Sequence, residues 1–177
     1  MTAVTANKAT QVQELMIRAK SAMAAYLPNV MSHERLMRLA MAATRDPKLA
    51  RCKPISIVEC MVIAAKTGLE PGMPGQAALV PFKDECQFIP EFQGLVELAR
   101  RSGKIGAVWA NVIYEKDDYE IAEGSEPKLT HKPDYFSDDR GKALGAYACA
   151  RFTGTGEIQW TFVPVREINK IMRGVRS

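Results

Sequence analysis

The spacing of apolar positions is helical in the first part of this chain and turns to an alternating period after the central stretch. From Lys8 to about Tyr26, Val12, Leu15, Met16, Ala19, Met23 and Tyr26 predict an amphipathic helix that stops before Pro28. The polar residues 1–7 are expected to be disordered, and 1–27 to form an N-terminal arm that packs on its own core or on a neighbouring subunit. Ser32 can cap a second helix reaching about Thr44, with Leu36, Leu39, Ala40 and Ala43 inward, and the Asp46-Pro47 step ends it. Ser56 and Glu59 stand at capping-box spacing for a third helix through Lys66, apolar nearly all round and stopped by Gly68. After Gly103 the period is two. Ile105 to Tyr114, Tyr119 to Ala122, Lys142 to Phe152 and Glu157 to Phe162 are predicted strands, the last two joined by the turn Thr153 to Gly156. Between them 123–141, with Pro127, Pro133 and many charges, reads as a long excursion. Pro164 can open a final short helix, VREINKIMRGV.

The stretch from Gly68 to Gly103 links the two halves. Gly68, Pro71, Gly72, Pro74 and Gly75 form neither helix nor strand. Ala77 to Phe82 and Gln87 to Pro90, separated by Lys83-Asp84-Glu85, predict a hairpin with a charged tip. Phe92, Leu95, Val96 and Ala99 then mark one face of a helix, with Arg100 and Arg101 in its last turn and Gly103 after it. The order of elements is α+β: N-terminal helices, a hairpin–helix–antiparallel sheet core and a final helix, with 28–177 as the core domain.

The chain's 177 residues are enough to bury a real core, and no apolar run approaches the roughly 20 residues of a membrane span. The polar N-terminus lacks the apolar stretch of a signal peptide, which fits a cytoplasmic protein. Cys52, Cys60, Cys86 and Cys149 show no CxxC pair and read as small buried side chains. The net charge of +4 is mild but uneven. Residues 1–90 carry eleven Lys and Arg against seven Asp and Glu, notably Arg35, Arg38, Arg45, Lys48, Arg51 and Lys53. Glu115, Asp117, Asp118, Glu120, Glu123 and Glu126 form an acidic cluster further on. The asymmetry suits an anionic partner or contact between copies of the chain, and it also suits an ordinary solvated surface.

Several chemistries lack their residues. A phosphate loop needs GxxxxGK[ST], and neither Gly103-Lys104 nor Gly141-Lys142 has the rest. Pro71 and Pro74 remove N–H donors that an anion-binding nest in GLEPGMPG would need, so ATP-driven chemistry and a nucleotide cofactor are not expected. There is no GxSxG. His33 reads as a surface residue at a helix start, while His131 in KLTHKP can meet a phosphate or only solvent. Asp117, Asp118 and Glu120 can hold a metal in a nuclease, or form a solvated hairpin tip.

GLEPG, a strand ending in PF and a helix ending in LARRSG resemble the RecT family of phage single-strand annealing proteins. LPNVMSHERLMRLAMAATRDPKLARC upstream, and KLTHKP and YACARF downstream, match in order, so the likeness covers roughly residues 25–175. The family's chains continue with a tryptophan-bearing, strongly basic helix, so this chain is expected to be truncated relative to them. The resemblance implies a protein, not an enzyme, that binds single-stranded DNA and anneals complementary strands without nucleotide hydrolysis. It also implies large homo-oligomers, rings or filaments, in the bacterial host cytoplasm. The partners implied are single-stranded DNA and the annealed duplex intermediate, with a phage exonuclease and the host single-strand binding protein; no membrane and no metal.

A sequence-blind grip on one strand needs cations along the phosphates and flat surfaces under the bases. Lys83 at the hairpin tip and Arg100, Arg101 and Lys104 at the helix end supply the cations. Gln93 lies in that helix's first turn, where N–H groups attract phosphate, and Lys132 and Arg151 complete the candidate set. Arg100 and Arg101 point about 100° apart, so one of them is expected to reach phosphate and the other to bond to protein. Phe92 is expected in the core rather than as a stacking platform. The other readings are helix-end solubility for the cations, a protein-interaction module using the basic first half, and a metal-dependent nuclease.

Overall fold

The computed structural model describes residues 3–26 and 31–174, which fall into two compact units, 1–98 and 99–177. The architecture is α+β, as the pattern predicts, with five helices and seven strands among the described residues and all strand pairs antiparallel.

In the first unit α1 (Ala3–Ala24), α2 (His33–Arg45) and α3 (Pro54–Thr67) enclose one apolar core. Val12, Met16 and Met23 of α1, Leu36 and Ala40 of α2, and Ile57, Met61 and Ala64 of α3 are buried in it. α1 starts inside the stretch expected to be disordered, and Pro28 lies outside the described residues. Its buried positions belong to the same cluster as those of α2 and α3. Ser32 caps α2 as expected, its Oγ accepting from Arg35 N–H at 3.2 Å. His33 is half-buried rather than a plain surface residue, since its Nε2 bonds to the Met16 carbonyl at 3.1 Å and ties α2 to α1.

α3 starts at Pro54, and the expected capping box at Ser56 does not form. Ser56 is buried instead. Its hydroxyl donates to Lys53 O at 2.8 Å and accepts from Cys86 N–H at 2.9 Å, joining the helix to the hairpin. The left-handed Gly68 (φ 67°) ends α3. β1 (Ala77–Phe82) and β2 (Glu85–Pro90) pair from Ala77↔Pro90 to Phe82↔Glu85. Leu79, Phe88 and Cys86 face the core. Opposite cross-strand residues share a face, so Val80, Phe82 and Ile89 are turned outward.

Helix α4 (Phe92–Arg101) carries the chain out of the first unit. Its one buried residue is Gly94, which lies close to the Gln76 carbonyl. Phe92 lies about 200° around the helix from Gly94. Phe92 and Leu95 are consequently 62% and 51% exposed, which corrects the expectation that this face is core.

The second unit contains a three-stranded sheet in the order β3 (Ile105–Tyr114), β6 (Ala143–Phe152), β7 (Ile158–Pro164). A two-stranded ribbon pairs β4 (Asp118–Ala122) with β5 (Lys128–Lys132). β5 lies inside the stretch expected to be one long excursion. Ile121 and Leu129 of the ribbon pack on Ile113, Tyr147 and Cys149 of the sheet, and α5 (Val165–Met172) runs beside β6 and β7.

Candidate nucleic-acid interface

The sequence-predicted residues are divided between the two units. Lys83 and Gln93 belong to the first, and Arg100, Arg101, Lys104, Lys132 and Arg151 to the second. Lys83 sits at the tip of β1–β2 in a left-handed conformation (φ 56°), its ammonium 5.8 Å from the centre of the exposed Phe82 ring. A cation thus lies beside the outward apolar face of the hairpin. Gln93 is exposed and leans toward Gly75. The start of α4 is tied to the preceding turn: Gly94 N–H donates to Gly75 O and Glu91 N–H to Gln76 O, at 2.8 and 2.9 Å.

In the second unit the exposed end of α4 presents Arg100 and Arg101, and Lys104 follows the left-handed Gly103 (φ 71°). Lys104 lines a depression of about 340 Å3 with Thr153, Gly154, Thr155 and Gln159. The turn is held there by Thr153, whose N–H and hydroxyl donate to Lys104 O and Gly103 O. Neither Arg100 nor Lys104 has an ion-pair partner among the described residues. Lys132, in contrast, lies 3.5 Å from Asp118. In the basic first half, Arg35 pairs with Glu70 at 2.6 Å, and Lys53 pairs with Asp84 and Glu85.

Arg151 projects from β6 with its guanidinium 5.8 Å from the Trp109 ring. Strand register explains the contact. Ala107, Arg151 and Ile158 form one cross-strand row, and Trp109, Cys149 and Trp160 form the next row on the same face. The two tryptophans flank the small Cys149 and open a cleft of about 450 Å3, walled on another side by Leu129 and His131 of the ribbon. The tryptophans escape a reading based on period alone, because the row forms only when residues far apart in sequence pair across β6. The alternation in IGAVWANVIY and YACARF does place Trp109 and Cys149 on defined faces.

Of the acidic cluster Asp117 alone leaves the solvent, while Glu115, Asp118, Glu120, Glu123 and Glu126 stay exposed. The Asp117 side chain is fully buried and accepts from Arg140 Nε at 2.9 Å and Nη2 at 2.6 Å, from His131 Nε2 at 2.9 Å and from Tyr114 N–H at 2.9 Å. The Arg140 guanidinium, and then His131, hold its carboxyl well below the usual carboxylate range, against the effect of burial. His131, which read as a phosphate or solvent contact, is buried between Asp117 and the Tyr147 hydroxyl, 3.3 Å from its Nδ1. Arg140 also lies over the Tyr114 ring at 4.3 Å. This knot clips the segment after β5 to the end of β3. Its carboxylate oxygens are occupied by protein donors, and no group of three His, Cys, Asp or Glu suited to a metal occurs among the described residues. All four cysteines are buried and unbridged. No helix among the described residues is long and apolar enough to cross a membrane.

The model of the RecT family matches residues 34–175, most of both units. The chain belongs to the RecT family. Protein RecT of Escherichia coli (strain K12) is 36% identical over 147 residues, an alignment covering 77% of this chain. The chain spans about half of that relative's length, 54%. Within the matched region lie α2 from its second residue, α3, α4, the hairpin, the sheet and every candidate cation named above.

Proposed function

We propose that this chain is a recombination protein that binds single-stranded DNA and anneals complementary strands, without ATP and as a homo-oligomer. The observation that carries the reading is RecT family membership across residues 34–175. Lys83, Arg100 and Lys104 support it as exposed cations with no carboxylate partner among the described residues. The physical logic is charge neutralisation. Two naked strands repel through their phosphates and fold on themselves, and a cationic surface that holds a strand extended lowers both barriers while base edges stay free. Pairing drives the reaction, at about 1.4 kcal/mol per stacked step. Each copy can bind weakly, because adjacent sites on one strand act at high effective concentration.

Lys83, Gln93, Arg100, Arg101, Lys104, Lys132 and Arg151 are assigned to the phosphate path. Lys132 contributes least, because Asp118 already faces it. The direct test mixes two complementary labelled oligonucleotides with the chain and no ATP. Annealing no faster than in buffer refutes the reading. Arg100→Glu with Arg101→Glu should weaken binding equally on unrelated sequences and flatten log K against log[salt], by about 0.7 for each phosphate that is no longer neutralised. An unchanged slope removes both residues from the path.

Self-assembly is assigned to the N-terminal segment 1–27. Its α1 turns Ile17 outward at 58% exposure while Val12, Met16 and Met23 hold the core. Deleting the segment would remove core residues as well as surface, so Ile17→Ser is the cleaner variant: smaller assemblies by light scattering with unchanged circular dichroism. A cytoplasmic site of action, an exonuclease and a host single-strand binding protein follow as partners of an annealer of this kind.

A further inference from the structure

We propose that the cleft between Trp109 and Trp160 is a stacking site for one unpaired nucleobase, blind to its identity. The inference rests on the single-strand binding reading and adds to it a specific place for a base. Three observations carry it. First, the row Trp109, Cys149, Trp160 puts two indoles on the outer strands and a small side chain between them, leaving a slot over Cys149 of about 450 Å3. Trp109 remains 36% exposed, although large aromatic rings are usually withdrawn from water. Secondly, no carboxylate lines the slot. Lys128 at its rim is paired with Glu120 at 2.6 Å, which leaves Arg151, against the Trp109 ring on the neighbouring row, as the cation that can face a bound strand. A base in the slot would bring its phosphate within the field of Arg151, and the guanidinium supports stacking on the same indole. Thirdly, the floor is rigid and saturated. Tyr147 and His131 bond to each other and His131 to Asp117, and no buried side-chain polar atom among the described residues lacks a partner. The polar groups of Tyr147 and His131 are therefore engaged with protein rather than with a base edge, and stacking is the main attraction left.

Such a site separates unpaired from paired bases. A base in a duplex is stacked on its neighbours and must give up its stacking and pairing to enter. A base parked in the slot is released when its complement arrives. The slot thus holds single strands in preference to product, as an annealing protein requires.

Trp109 and Trp160 are the chain's two tryptophans, so its emission reports on this slot. The full chain is titrated with a single-stranded oligonucleotide of mixed sequence, with the same length bearing abasic sites, and with the matching duplex. Binding is followed in parallel by anisotropy of an end label. Tryptophan quenching is expected with the intact single strand and neither with the duplex nor with the abasic strand. The abasic strand should bind about 5- to 150-fold more weakly, the range of base–aromatic stacking, with an unchanged salt slope. Trp160→Leu should reproduce that loss, and Trp160→Phe should restore most of the affinity.

Equal affinity for intact and abasic strands, or binding without quenching, overturns the inference and leaves the phosphate path standing. Emission that shifts with protein concentration in the absence of DNA assigns the slot to a second copy of the chain and overturns it too. Absence of any oligonucleotide binding overturns the slot and the proposed function together.

Discussion

Replacing Gly94 by alanine sets two physical effects against each other, and the structure says which wins. Local propensity favours the change, because alanine in a helix interior is better than glycine by about 1 kcal/mol. Packing opposes it. A Cβ at Gly94 would lie 2.2 Å from the Gln76 backbone oxygen, 2.9 Å from Leu69 Cδ1 and 3.0 Å from the Gln76 carbonyl carbon, where ordinary contact begins at 3.4 Å. Leu69 can turn a methyl aside, but the carbonyl is held, since it accepts from Glu91 N–H at 2.9 Å. An approach more than 1 Å too close to fixed backbone belongs at the upper end of overpacking costs, about 3 kcal/mol.

The net effect of Gly94→Ala is then about 2 kcal/mol of destabilisation once propensity is subtracted. The first unit contains α1 to α3, so helical circular dichroism in urea reports on it. With a urea dependence of about 2 kcal/mol per molar, the midpoint should fall by about 1 M. Gly154→Ala, at a turn glycine with open space around it, is the control and should move little. A Gly94→Ala midpoint at or above that of the parent would refute the close approach. With it would go the explanation of why Phe92 faces outward.

The clip around Asp117 makes a pH prediction. Its carboxyl titrates lower in the folded chain than in the unfolded one, so the stabilisation is complete above an ordinary aspartate value, about 3.9, and is lost as pH falls below it toward the folded value. Asp117→Asn should remove this acid limb from an acid titration followed by tryptophan emission, and an unchanged limb would refute the assignment. Burial pushes the Cys52 and Cys149 thiols up, and the Cys60 thiol together with burial does the same to Cys86, while the bond to Cys86 holds Cys60 below the usual thiol value. All four side chains are at most 6% exposed, so a thiol reagent at mildly alkaline pH should leave the native chain nearly untouched and modify all four in urea; rapid native labelling would contradict the packing. Gly145→Ala should destabilise the sheet of the second unit, because a Cβ there would lie 2.6 Å from the Val163 carbonyl and 2.4 Å from Phe162 Cζ; an unmoved tryptophan-emission midpoint would disprove this.

Elements with a clean period were legible from the sequence, and elements that depend on a distant partner were not. β3 matches its predicted span because a run of β-prone residues stands between Gly103 and the charged turn after Tyr114. β5 was hidden because KLTHK is short, polar and set among prolines, and only pairing with β4 makes it a strand. Asp117 looked solvated because its neighbours in sequence are charged. Its burial is made possible by Arg140, 23 residues away, and by His131, 14 away. Ser56 had the right spacing for a cap, but the N–H it accepts comes from Cys86 across the core. In each case the local pattern proposed solvent or a neighbour in sequence, and the fold supplied a protein partner from far along the chain.

The misplaced large residues share a different cause, which is the position of small ones. Periodicity reads the bulky apolar side chains and treats glycine, alanine and cysteine as filler. Yet α4 is oriented by Gly94, the point at which its axis can come nearest the turn before it, and Phe92 and Leu95 face outward as a result. Likewise Trp109 and Trp160 leave a cleft because Cys149 between them is small; a leucine there would stand between the two indoles and block a base from lying on them. Cys149→Leu should therefore keep the sheet while abolishing the tryptophan quenching expected from single strands. If the leucine variant folds and still shows that quenching, the bases reach the indoles by some route other than the slot. The candidate site on this unit is thus defined as much by where side chains are missing as by the cations at its edge.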